Sequence, residues 1–127
     1  MKKLFIDDLR MPFDTWDMSQ KEIQDQLDRE GWVVVKTSAE AIDWLKQNGI
    51  PEFITFDHDL GIPSMGQYDT VIPIINFIID SVLNGTLKLP DNFTYQIHSG
   101  NPVGRENIKG KLDGFLTFLK DSQEGKG

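Results

Sequence analysis

Four short apolar runs, each followed by a stretch of helical periodicity, constrain this chain's fold more than any other feature. Leu4-Phe5-Ile6, Trp32-Val33-Val34-Val35, Phe53-Ile54-Thr55-Phe56 and Phe93 to Ile97 are too short for helices and read as buried strands. Between them lie helix signals. Ser19 with Glu22 forms a capping box ahead of Ile23 and Leu27, and Gly31 closes that helix. Thr37 with Glu40 opens a second, carrying Ala41, Ile42, Trp44 and Leu45 and stopping at Gly49. Asp69 or Thr70 caps a third, apolar on nearly every side from Val71 to Leu83, with Pro73 in the first turn, where an amide lacks a helical partner. A last helix from about Val103 presents Ile108, Leu112, Phe115, Leu116 and Leu119.

The resulting β-α-β-α-β-α-β-α order predicts an α/β fold: a mostly parallel sheet of about four strands with helices on both faces, a three-layer αβα sandwich. One domain is expected over 1–121, with 122–127 a flexible polar tail. Right-handed crossovers place every strand's carboxyl end on one edge, which is where open α/β sheets bind ligands.

Composition removes whole classes of function. The 127 residues suit one domain, able to bury about two-thirds of its unfolded surface without staples. There is no cysteine, so disulfides, zinc ribbons, iron–sulfur clusters and thiol catalysis are excluded, and a reducing compartment fits. Thirteen Lys and Arg against twenty Asp and Glu give a net charge of −7, which argues against an extended nucleic-acid surface but allows a small anion at one cationic spot. The apolar run before Asp7-Asp8 is shorter than the about 7–15 residues of a signal peptide. Val71 to Leu83 falls short of the about 20 apolar residues that cross a bilayer. A cytoplasmic protein is expected. Trp16, Trp32 and Trp44 read as packing residues rather than a base-stacking platform.

The predicted ligand edge collects unusual chemistry. Asp7 and Asp8 follow the first strand, Lys36 and Thr37 the second, Asp57-His58-Asp59 the third and His98-Ser99-Gly100-Asn101 the fourth. The chain's two histidines both stand there among four carboxylates. Two carboxylates about 6 Å apart repel by roughly 3 kcal/mol at an effective dielectric near 20. A hard divalent cation such as Mg²⁺, held by Asp7, Asp8, Asp57 and Asp59, would relieve that repulsion; turn chemistry is the plainer account of the same acids. No organic cofactor is expected.

Two imidazoles titrating near neutrality can divide the work of opening a cyclic phosphodiester, one deprotonating water and the other protonating the departing alkoxide. His58 and His98 fit those roles, with Asp57 orienting an imidazole or holding metal. Ser99, Gly100, Asn101 and Arg105, at the start of the last helix, form a candidate phosphate cradle, and Arg10 is a second cationic candidate.

Leu4-Phe5-Ile6-Asp7-Asp8-Leu9-Arg10-Met11-Pro12, Phe56-Asp57-His58-Asp59-Leu60-Gly61 and His98-Ser99-Gly100-Asn101-Pro102-Val103-Gly104-Arg105-Glu106-Asn107-Ile108 resemble the cyclic-phosphate-processing receiver domains. The resemblance spans Leu4 to about Ile108. It implies a flavodoxin-like, receiver-like sheet and a site at the Asp-Asp, Asp-His-Asp and His-Ser-x-Asn motifs. It also implies a small cyclic-phosphate ligand, whether a cyclic nucleotide or a 2′,3′-cyclic RNA end. Asp7, Asp8 and Asp57 match the acidic pair and acceptor aspartate of ordinary receivers. No place is evident for the fifth strand and essential lysine of those proteins, which argues against aspartyl-phosphate signalling. Two other readings use the same residues: a module that binds a cyclic nucleotide or metal without turnover, and a degenerate receiver that docks a protein. The sequence leaves the oligomeric state open.

Overall fold

A computed structural model describes residues 2–7, 11–57 and 70–125, with side chains as far as 121. The elements run β1 (Lys3–Ile6), α1 (Gln20–Glu30), β2 (Trp32–Val35), α2 (Ser38–Asn48), β3 (Phe53–Phe56), α3 (Ile72–Leu83), β4 (Thr94–Ile97) and α4 (Pro102–Gly125). The four described strands pair in parallel, in the order β2-β1-β3-β4, with Leu4 beside Val33 and Ile54, and Ile54 beside Tyr95. The order β-α-β-α-β-α-β-α is the one the periodicity predicts.

Local signals explain the boundaries. The hydroxyls of Ser19 and Thr37 accept the amides of Glu22 and Glu40, so both helices open where a side chain replaces the missing carbonyl. Gly31 ends α1 at φ 77°, a left-handed backbone that glycine adopts at little cost, and its carbonyl takes the Lys3 amide at 2.8 Å to start the β1–β2 ladder. Of the two candidate caps for α3, Asp69 lies outside the described residues. Thr70 Oγ1 accepts the Ile72 amide at 3.3 Å, and Pro73 sits in the first turn. The fourth strand starts at Thr94 rather than Phe93, because the Phe93 amide is drawn into a turn with the Pro90 carbonyl. Helix α4 continues to Gly125, so residues 122–125 of the expected tail are helical. Nothing in Asp121-Ser122-Gln123-Glu124 breaks a helix.

Strand alternation sorts the side chains onto two faces. On one, Leu4, Ile6, Val35, Ile54 and Phe56 pack with Ala41 and Leu45 of α2, Ile74, Ile75 and Ile78 of α3, and Ile108 and Leu112 of α4. This is the main core, each fully buried aliphatic side chain contributing about 1.5–3 kcal/mol. The other face carries Phe5, Trp32, Val34, Phe53 and Thr55, and α1, which buries Ile23 and Leu27 outside the main core, packs along β2. Trp32 meets Phe5 and Phe53 edge-on. Trp32 and Trp44 therefore pack as expected, whereas Trp16 does not: it is 87 % exposed, in a turn where its amide donates to Asp14. Among the described residues no helix is long and apolar enough to cross a membrane.

Candidate active site at the carboxyl edge of the sheet

Three backbone hydrogen bonds carry the ladder one residue past the strands. The amide of Asp7 donates to the Val35 carbonyl, that of Asp57 to Ile6 and that of His98 to Phe56. Asp7, Asp57 and His98 therefore leave β1, β3 and β4 side by side, and alternation sends their side chains to the face of Phe5 and Thr55.

His98 does not stay above its own strand. Its imidazole crosses β3, with Nδ1 2.8 Å from Thr55 Oγ1 and Nε2 2.9 Å from Asp7 Oδ2, and lies flat on the Phe5 ring (centroids 4.6 Å apart, planes 8° apart). A carboxylate only accepts, so Nε2 carries the proton shared with Asp7. Asp7 is 1 % exposed, Thr55 4 %, and the His98 side chain 18 %. A carboxylate this deep needs a hydrogen-bonded partner, and His98 is one. Hydroxyl–imidazole–carboxylate connectivity is that of a nucleophilic triad, but Thr55 is too buried to meet a substrate.

The segment after His98 is organised by its own side chains. Ser99, 2 % exposed, accepts the Asn101 amide on its hydroxyl at 3.1 Å, and Asn101 Oδ1 accepts the Gly104 amide at 3.1 Å. Asn101 is thus the N-cap of α4, ahead of Pro102, which has no amide to offer. Arg105 reaches back to the Ser99 carbonyl at 3.4 Å. Ser99, Asn101 and Arg105 lie together in this segment, linked by these hydrogen bonds. Gly100 is exposed, and a Cβ there would meet nothing within 4 Å, so the backbone is open to close approach from outside.

His58, Asp59, Asp8 and Arg10 lie outside the described residues. Of the four carboxylates expected to hold Mg²⁺, the structure describes two, Asp7 and Asp57, and Asp7 gives one oxygen to His98. Among the described residues no group of three or more His, Asp or Glu side chains could hold a metal ion.

Sequence reasoning missed Thr55 and Phe5. A hydroxyl inside an apolar strand was the available signal, because a buried hydroxyl requires a partner, and Thr55 shares its face with Asp57 two residues on.

A parallel sheet in the order 2-1-3-4, with acidic residues ending its two central strands, defines a receiver-like α/β domain. The family model of the cyclic-phosphate processing receiver domain matches residues 2–114, and the chain belongs to that family. No curated protein and no solved structure matches it.

Proposed function

We propose that this domain is a phosphoesterase that opens cyclic phosphates, on cyclic nucleotides or on 2′,3′-cyclic RNA ends, to monoesters. Water attacks phosphorus, one ester oxygen departs, and the site supplies a base for the water and an acid for the alkoxide. His98 is the acid in this reading and His58 the base, with Asp57 as the orienting carboxylate. The observation that supports the acid role is the direction of His98 Nε2–H: it is aimed at a carboxylate oxygen 2.9 Å away, at the sheet edge where ligands bind. In its doubly protonated form the imidazole, the more exposed member of the pair, gives the Nε2 proton to the substrate's departing oxygen and is left neutral with its proton on Nδ1. Ser99, Gly100, Asn101 and Arg105, with Arg10, hold the phosphate. Asp8, Asp57 and Asp59 are the carboxylates offered to a divalent ion, which would supply charge neutralisation when bound.

Turnover of a 2′,3′-cyclic nucleotide by His58→Ala and His98→Gln tests this division of labour. Each is expected to fall about 10²-fold or more while the fold is kept. Unchanged turnover in both variants overturns it. The engagement of both His98 ring nitrogens also favours one rival, a module that binds a cyclic nucleotide without cleaving it. Binding without any product would establish that rival.

A further inference from the structure

We infer that Thr55 is a positioning residue, whose buried hydroxyl fixes the imidazole of His98 so that Nε2–H is the group presented at the carboxyl edge. The inference rests on the acid role proposed above for His98 and adds a residue to it. Phe5 confines the imidazole to one plane by stacking at 8° and 4.6 Å. A flat aromatic face does not distinguish nitrogen from carbon, so stacking admits either flip of the ring about its Cβ–Cγ bond. Asp7 fixes one point on the ring, at Nε2. Thr55 Oγ1, 2.8 Å from Nδ1, adds a second contact on the other side of the ring, which a flipped ring would lose by placing Cδ2 there.

The chemistry of a hydroxyl suits this place. It donates to Nδ1 when the ring is neutral and accepts from Nδ1–H when the ring is charged. The anchor therefore holds both in the neutral ring that carries Nε2–H alone and in the charged ring that acts as acid. When the charged ring releases its Nε2 proton, Nδ1 keeps its own, and the ring need not move during the step. A carbonyl could serve only the protonated nitrogen and an amide N–H only the bare one. Threonine's β-branch meanwhile fits the middle of β3, where Thr55 lies between Phe5 and Gln96. The partner on the other nitrogen of a working imidazole sets its tautomer and aim.

The test compares Thr55→Val, which keeps the shape and loses the hydroxyl, with Thr55→Ser, which restores it. On a 2′,3′-cyclic nucleoside monophosphate, T55V is expected to lose about 10-fold or more in kcat with KM within about twofold, and T55S to stay within about threefold of the parent. Ring-nitrogen NMR of His98 at one fixed pH gives a readout independent of turnover. In T55V the Nδ1 resonance moves to that of an unbonded nitrogen, and in T55S it returns. A T55V protein with parental kcat and an unmoved Nδ1 resonance overturns the inference, as does a T55S protein no better than T55V. If T55V does not fold, Thr55→Ala against T55S gives the same comparison. If the parent cleaves no cyclic phosphate, the proposed function fails, and the Nδ1 resonance alone decides whether Thr55 anchors the ring.

Discussion

His98 and Asp7 depend on each other in the folded protein. Removing the imidazole leaves a 1 %-exposed carboxylate and the Thr55 hydroxyl without it. His98→Ala is therefore expected to lower unfolding free energy by about 3–5 kcal/mol, as when one partner of a buried pair is deleted. His98→Gln, whose amide can still donate to Asp7, recovers part of that loss. Urea titrations of the two variants check this; equal stability of His98→Ala and the parent contradicts it. At this scale the sequence was legible in kind but not in contact. That His98 and Asp7 share an edge follows from topology. That His98 reaches across β3 to Asp7 depends on the flat seat offered by Phe5 and the hydroxyl of Thr55, which periodicity treats as ordinary strand residues.

At the scale of elements, α4 is set by a cap at its start and by a side-chain clasp to β4 further along. At its start Asn101 caps Gly104, so Asn101→Ala should cost about 1 kcal/mol and loosen the segment after His98. Thermal unfolding reads the loss; an unchanged midpoint counts against the cap. Further along, the Tyr95 hydroxyl of β4 donates to Asp113 of α4. Burial raises the Tyr95 pKa above its usual 10.0, with the hydrogen bond to Asp113 and the charge of Asp113 adding to the shift. Because the folded value lies above the unfolded one, the folded state retains the phenol proton longer. Its contribution is complete below pH 10 and declines as pH rises beyond it. Tyr95→Phe is expected to lower stability at neutral pH by about 1 kcal/mol and to flatten its alkaline decline. A Tyr95→Phe protein with the parental alkaline profile contradicts the clasp. The caps at Ser19 and Thr37 were readable from the chain because they are local. The clasp was not, since Tyr95 and Asp113 meet only after α4 docks. The start of β4 shifted for a similar reason: the Phe93–Pro90 turn claims an amide that propensity alone assigns to the strand.

At the scale of the molecule, the sheet order and register follow from alternating apolar runs and right-handed crossovers, and this part of the fold was the most legible. Trp16 shows the limit, because an aromatic residue in a connection has no periodicity to say which way it faces. The core of Leu4, Ile6, Ile54, Phe56 and the facing helices is wholly apolar, so chelation of divalent ions with EDTA should leave the unfolding transition in place. Collapse of the fold under EDTA would give the metal a structural role that this core does not need.

The most direct measurement is phosphorus NMR of cyclic phosphates incubated with the protein, with Mg²⁺ or with EDTA, beside His98→Gln. The account predicts that a cyclic resonance converts to a monoester with the parent protein and about 10²-fold more slowly with His98→Gln. Resonances that broaden or shift without any new product, or conversion at the same rate in both proteins, would contradict it.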